Sequence, residues 1–272
     1  MRYLTGFICD RGLGPERGGR AANEDNFLLG HEGRTRHLHN NELVDEGGEA
    51  VEPGALLAAV ADGMGGHEHG AVASAAAAQA LARLYRQGLG PDPEVSLHGW
   101  ILRAHRRLRA RARERGAANM GTTLTVLWLH GREAVWAHVG DSRLYLLRNG
   151  QLGVLTKDHT RGEFASRDGR PLPVDARALT QNFIYGSRGF GADEELRIDA
   201  GQDTGTLALL PGDRLLLASD GLHGFVSAEA IAERLSRAPT AQAAAQALFE
   251  AALAADGNDN ITALVIEVAA PL

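Results

Sequence analysis

GTTLTVLWLHGREAVWAHVGDSRLYLLRNGQL, residues 121–152, is a series of short apolar runs parted by tight turns. Thr122 to Leu129, Ala134 to Val139 and Leu144 to Arg148 read as strands, and Asn149-Gly150 is the residue choice of a primed hairpin turn leading into Gln151 to Thr156. Strands joined so closely pair antiparallel, because a parallel partner needs a crossover of a dozen or more residues. Further strands are expected at Tyr3 to Cys9, Asn26 to Leu29, Ala55 to Ala61 and Ile261 to Val268, with a hairpin from Leu207 to Ser219 across Pro211-Gly212-Asp213.

Helical spacing occupies the intervals between these groups. In Ala71 to Gln87, the residues Ser74, Ala77, Ala78, Leu81, Leu84 and Tyr85 recur at three and four, and Gly88 ends the run. Asp92 is the expected N-cap of a second helix with Pro93 at its first position, and Val95, His98, Ile101, Leu102, His105, Leu108 and Ala112 are its expected buried stripe. The arginines from Arg103 to Arg115 cover its other faces and read as a solvated surface. Ser227 and Thr240 cap two more helices. Strands in groups and helices in pairs make this an α+β chain rather than an alternating βαβ one. No internal repeat or linker divides it, so residues 1–272 are expected to form a single domain.

Two stretches read as excursions from this pattern. Residues 31–53 turn polar and acidic and are expected to be a surface insertion, with His31, His37 and His39 as solvated loop histidines. Residues 157–177 are polar and loop-like.

The 272 residues carry a formal net charge of −6, so the basic field that non-specific nucleic-acid binding needs is missing. Cys9 is the only cysteine, which excludes an internal disulfide and a thiolate cluster and suits a reducing compartment. No apolar run has the length of a signal peptide core or a membrane span. A cytoplasmic protein with no membrane partner is expected.

Four acidic fragments stand beside the apolar runs: Arg20-Ala-Ala-Asn23-Glu24-Asp25, Asp62-Gly63-Met64-Gly65-Gly66, Ser219-Asp220-Gly221 and Asp259-Asn260. An Asp-Gly pair alone is a common turn former. Here Leu56 to Ala61 and Leu215 to Ser219 lead directly into the aspartate, and the following glycine lets the chain turn sharply and bring a carbonyl close to an ion. Carboxylates gathered at one sheet edge would hold hard divalent cations.

With Gly121-Thr122-Thr123, Gly140-Asp141-Ser142-Arg143 and His67 after the second fragment, this ordered set resembles the metal-dependent protein serine/threonine phosphatases of the type 2C family, in their bacterial form, from about Phe7 to Val268. The resemblance implies two antiparallel sheets packed as a sandwich and flanked by pairs of helices, in four α-β-β-α layers. It implies that Asp62 bridges two Mn²⁺ or Mg²⁺ ions, with the Gly63 carbonyl, Asp25, Asp220 and Asp259 completing the shells and Glu24 acting through water. A hydroxide shared by the two ions would attack phosphorus, and Arg20 would grip the phosphate. The partners implied are phosphorylated protein substrates and a cognate serine/threonine kinase, and a monomer is expected.

Three points stay open at this level. His67 is the nearest proton donor for the leaving alkoxide, or a histidine that braces the loop. Asp141 resembles the ligand of a third metal ion, or is a simple turn aspartate; Gly224 stands where the family commonly carries a further carboxylate for that site. Residues 157–177 match the family's flap. Two rival readings are a catalytically silent phosphoprotein-binding scaffold, which should have lost one of the four aspartates, and a small-molecule phosphomonoesterase with the same centre.

Overall fold

The apolar run Leu56–Met64 forms a strand whose side chains are buried on both faces, and the architecture follows from what covers each face. The computed structural model describes residues 1–48, 52–64, 68–114, 120–184, 186–187, 196, 198–199 and 201–270. Its strands are β1 (Arg2–Asp10), β2 (Asp25–His31), β3 (Arg34–His39), β4 (Glu42–Gly47), β5 (Leu56–Met64), β6 (Gly121–Thr122), β7 (Leu124–His130), β8 (Glu133–Val139), β9 (Arg143–Arg148), β10 (Gln151–Val154), β11 (Gln181–Asn182), β12 (Gly186–Ser187), β13 (Thr204–Ala208), β14 (Arg214–Ala218) and β15 (Ile261–Ala269). The helices are α1 (Glu68–Gln87), α2 (Pro93–Glu114), α3 (Arg161–Arg167), α4 (Asp220–His223), α5 (Ala228–Arg237) and α6 (Ala241–Ala254).

One sheet runs β13-β8-β7-β5-β2-β3-β4, with β6 paired to β5 beside that path, and the other runs β1-β15-β14-β9-β10. Both are antiparallel throughout the described residues. Alternation along the strands builds three cores. On β5, Leu57, Ala59 and Ala61 face α1 and α2, while Leu56, Ala58 and Val60 face the second sheet. On β15, Leu264, Ile266 and Val268 meet the first sheet, while Ile261, Ala263 and Val265 lie under α5 and α6. Near-continuous apolar runs in an antiparallel sheet are thus explained, because both faces are covered. The expected four-layer α-β-β-α sandwich is the observed fold. Among the described residues no helix is long and apolar enough to cross a membrane.

Four expectations need correction. The hairpin from Leu207 to Ser219 does not form: β13 pairs with β8 in one sheet and β14 with β15 and β9 in the other. The cause is Asp213, buried at the turn, whose carboxylate takes a two-pronged contact from Arg148 at 2.8 and 2.7 Å and a bond from the Leu210 amide. Its main chain pairs with Val268, so the turn is tied to the end of β15 and steers the chain from one sheet to the other.

Residues 31–47 are not a loop. β3 and β4 pair as a hairpin that extends the first sheet, through a turn at Asn40-Asn41 with φ of 51° and 62°. That Asn-Asn pair is a primed-turn signal, passed over because the flanking strands are polar. His37 is accordingly buried on β3, and burial lowers its pKa. Residues 161–167 are helical, started by Thr160, whose hydroxyl accepts the Glu163 amide at 3.3 Å. The Thr-x-x-Glu spacing is the sequence signature of that cap. On α2, Asp92 does cap the helix through the Val95 amide, but Val95 is 66% exposed and the buried line is Leu97, Ile101, His105, Leu108 and Ala112. The expected stripe blended two neighbouring lines of the helix and missed Leu97.

Candidate active site

Asp25 opens β2 and Asp62 lies near the end of β5, and the antiparallel register sets the two directly opposite each other. Asp220 begins α4 straight after β14, and Asp259 sits just before β15; β14 and β15 are neighbours in the second sheet. Two aspartates thus come from each sheet, at corresponding ends of the sandwich.

Ser219 and Thr262 join these ends. Both hydroxyls donate to Asp25 Oδ2 at 2.7 Å, so two residues of the second sheet grip a carboxylate of the first. Asp62 is braced through its main chain: its amide donates to the Thr123 hydroxyl at 2.9 Å, and its carbonyl accepts the Thr123 amide at 2.8 Å and the Thr122 hydroxyl at 2.9 Å. The Gly121-Thr122-Thr123 motif therefore serves as a clamp on Asp62. Asn260 receives the Glu24 amide at 2.8 Å and donates to the carbonyls of Arg11 and Ala22, which ties the first acidic fragment to the last.

The glycines of the two Asp-Gly pairs act differently from the sequence expectation. Neither takes a left-handed conformation: Gly63 lies within β5 and Gly221 within α4. They are needed for close approach instead. A Cβ on Gly63 would stand 2.3 Å from the Gly70 carbonyl oxygen, and one on Gly221 would stand 1.9 Å from that of Asn260.

Arg20, Glu24, Asp62, Gly63, Asp141, Asp220 and Asp259 line one cavity of about 590 Å³. Asp25 lies behind its wall rather than on it, and His67 is outside the described residues. The residues 157–177 contribute Arg161, Asp175 and Arg177 to the rim. Arg20 Nη2 bonds Asp259 Oδ2 at 2.7 Å, a contact the sequence did not suggest.

The carboxylates are electrostatically crowded. Burial pushes Asp25 up to about 7, opposed by the Ser219 and Thr262 hydroxyls and reinforced by Asp220 and Asp259. Burial also holds Asp62 well above the ordinary carboxylate range, with Asp25, Asp220 and Asp141 adding to it. Asp141 rises to about 7 through burial and the charge of Asp220. Asp220 is raised by burial and Asp259, against the pull of Asp62, Arg20 and Arg177. Buried like charges of this kind are relieved by protons or by cations.

An all-oxygen donor set with neither thiolate nor imidazole fits Mn²⁺ or Mg²⁺ in chemical type. Among the described residues no three such side chains already converge as a finished ion cage. Asp25 is engaged by Ser219 and Thr262 and Asp259 by Arg20, so cations would compete with those partners.

Ser219, Thr262, Asn260 and Thr123 are supporting residues to which sequence reasoning gave no separate task. A signal existed for Thr262, a hydroxyl set inside the apolar run Ile261 to Val268. Asp175 and Arg177 carried none, since only the folded chain brings them to the cavity.

Residues 34–261 match the family described as Protein phosphatase 2C. The chain is 37% identical over 221 residues to the serine/threonine protein phosphatase PstP of Mycobacterium tuberculosis, covering 81% of this chain and 42% of that protein. The chain thus spans about two fifths of that relative's length. It is 32% identical over 240 residues to the serine/threonine phosphatase stp of Listeria monocytogenes, covering 86% of this chain and 92% of that one. Its fold superposes on the crystal structure of the PstP catalytic domain in complex with two manganese ions with a TM-score of 0.76, 32% identity, and coverage of 98% and 99%.

Proposed function

The chain belongs to the protein phosphatase 2C family, and on that premise we propose that it hydrolyses phosphoserine and phosphothreonine in proteins with the help of two Mn²⁺ or Mg²⁺ ions. The observation that carries this reading is the meeting of Asp25 and Asp62 from one sheet with Asp220 and Asp259 from the other, beside a cavity that also presents Arg20. Asp62, Asp25, Asp220, Asp259 and the Gly63 carbonyl would hold the ions, with Glu24 acting through water. Bound there, the ions supply charge neutralisation for the phosphate and a water activated toward phosphorus.

The chain's own groups account for the remaining demands. A phosphomonoester dianion must be held against a floor of carboxylates, and Arg20 is the cavity arginine nearest that floor. Its Nη2 donates to Asp259, and Asp62 and Glu24 add to the anionic field around it. Its planar fork can therefore turn further donors to phosphate oxygens, which lysine's point charge cannot reproduce. Ser219 and Thr262 keep Asp25 oriented, and the Thr122-Thr123 clamp keeps Asp62 at the cavity wall. Asp141, which lines the cavity from the turn between β8 and β9, is the candidate ligand for a third ion.

Hydrolysis of such esters presupposes a kinase that forms them, so a serine/threonine kinase is the opposing partner. The unpaired Cys9 suits the cytoplasm as the compartment. Residues 1–272 would act as one catalytic domain, as a monomer.

The test is hydrolysis of a phosphothreonine peptide and of an aryl phosphate by the purified chain with Mn²⁺. Activity should vanish with a chelator and in Asp62→Ala and Asp220→Ala. Parental activity in metal-stripped Asp220→Ala protein would overturn the mechanism.

A further inference from the structure

The turn between β8 and β9 carries Asp141 to the cavity, and its backbone is held almost entirely by histidines. The Gly140 amide donates to His159 Nδ1 at 3.2 Å. The Gly140 carbonyl accepts the His159 amide at 2.7 Å and His138 Nε2 at 2.9 Å. The Asp141 carbonyl accepts His223 Nε2 at 3.0 Å, and the Ser142 carbonyl accepts the Thr125 hydroxyl at 3.0 Å. At the far end Arg143 makes a two-pronged contact, 2.9 and 2.7 Å, with Asp158, the residue before His159.

These partners dictate the tautomers. A carbonyl can only accept, so His138 carries its proton on Nε2, and its bare Nδ1 lies 2.9 Å from the Thr125 hydroxyl, whose single proton is shared between Nδ1 and the Ser142 carbonyl. An amide can only donate, so His159 Nδ1 is unprotonated and its proton sits on Nε2, which donates to Asp203 Oδ1 at 2.9 Å. Asp203 is anchored in turn: its other oxygen accepts the Asp199 amide at 2.9 Å and its carbonyl accepts the His138 amide at 2.8 Å.

We propose that His159, oriented by Asp203 and paired with His138, is a positioning residue that sets the Asp141 carboxyl in the cavity by gripping the peptide groups of Gly140. His138 and His159 are 0% and 2% exposed, and neither lines the cavity, so neither touches substrate. Gly140 can be held this closely because φ is 112° and a Cβ would stand 2.7 Å from the Thr123 side chain. Thr123 is the same residue that clamps Asp62, and its hydroxyl meets Ser142 Oγ at 2.7 Å. One buried polar chain therefore links the Asp62 clamp to the Asp141 turn. Such a chain is costly to bury unless every member is satisfied. Here its partners converge on the two peptide groups that flank Gly140, immediately before a cavity carboxylate.

The inference rests on the reading of the cavity as the reaction site, and the test separates the two. In His159→Asn the side-chain oxygen can stand near the place of Nδ1 and still accept the Gly140 amide; in His159→Gln the amide can still donate to Asp203 but nothing faces Gly140. We expect His159→Gln to lose about 10- to 100-fold in kcat with KM for aryl phosphate little changed, and His159→Asn to lose only about threefold. In metal-free protein the Gly140 amide should exchange with solvent faster in His159→Gln than in His159→Asn, read by NMR.

Should His159→Gln fail to fold, Asp203→Asn serves instead. It leaves an acceptor for His159 but turns an amide NH2 toward the Asp199 amide, so it should lower Tm modestly and lower kcat by about threefold to tenfold. Equal kcat losses in the Gln and Asn variants at equal Tm, equal exchange of Gly140, or an unaffected kcat in Asp203→Asn would each overturn the proposal. If the exchange difference holds but Asp141→Asn keeps parental activity, the anchoring of Gly140 stands and its catalytic purpose is overturned.

Discussion

Asp25, beside the acidic cavity, and Asp141, on its wall, are held in opposite ways. On the acidic floor, neutral donors grip the carboxylate itself: Ser219 and Thr262 both bond Asp25 Oδ2. In the turn between β8 and β9, neutral donors and acceptors grip only main chain, at Gly140 and Asp141, and among these contacts none engages the Asp141 carboxyl. The floor keeps mutually repelling charges in place by satisfying them one at a time. The turn keeps a charge in place by fixing the backbone beneath it. At Asp25 and at the Gly140–Asp141 backbone the direct partners are uncharged, where a further anion would worsen the repulsion, and the charged groups Asp203 and the Arg143–Asp158 pair stand one contact further out.

Asp62→Asn attacks the floor at its most crowded point. It should lower activity by at least about 10²–10³-fold while leaving the thermal stability of metal-stripped protein unchanged or raised, because a repelling charge goes and the Thr122-Thr123 clamp on the main chain stays. A steep fall in metal-stripped Tm would mean that the charge itself holds the fold.

Arg20→Lys tests the cation that hydrogen-bonds Asp259 on the floor. Losing the fork geometry should cost about 10- to 100-fold in kcat/KM, with folding intact because the side chain is half exposed. A lysine variant as active as the parent would show that charge alone suffices.

Thr262→Val and Ser219→Ala remove the donors to Asp25. Each should destabilise by about 1.5–3 kcal/mol in urea unfolding near neutral pH, the range for a hydrogen bond to a charged group. Smaller losses at lower pH are expected, where Asp25 is already protonated.

The pH slope of the metal-stripped protein tests the crowding itself. Asp25 and Asp141 have folded values near 7, above the ordinary carboxylate value of about 4, so the folded state binds more protons than the unfolded state between about pH 4 and 7. Stability should therefore fall as pH rises through that window and level off above it. Saturating Mn²⁺ should flatten the slope, raising Tm more at pH 8 than at pH 5. A metal-stripped Tm that climbs from pH 5 to pH 8 would refute the crowding.

Much of the fold was readable because strand alternation and helix spacing are local. Leu56 to Ala61 and Ile261 to Val268 declared strands, which the fold covers on both faces, and Asn149-Gly150 declared its turn, with φ of 52° and 77°. Polar strands hid better: Arg34–His39 and Glu42–Gly47 lack an apolar face to betray them, and only the Asn40-Asn41 pair spoke for the hairpin. The split of Leu207 to Ser219 between two sheets had no local sign, because its cause is the contact of Arg148 with Asp213 across 65 positions.

For the site, the sequence by itself determined which groups stand together in the motifs: aspartates beside apolar runs, an arginine before them, and glycines where no side chain can stand. Only the tertiary structure decided how they are held. The register that sets Asp25 against Asp62, the reach of Ser219 and Thr262 between sheets, and the grip of His138 and His159 on Gly140 are contacts between distant segments. Donor type is written in each residue, but a hydrogen bond needs two groups at one distance and angle, and only the packed sheets bring them together.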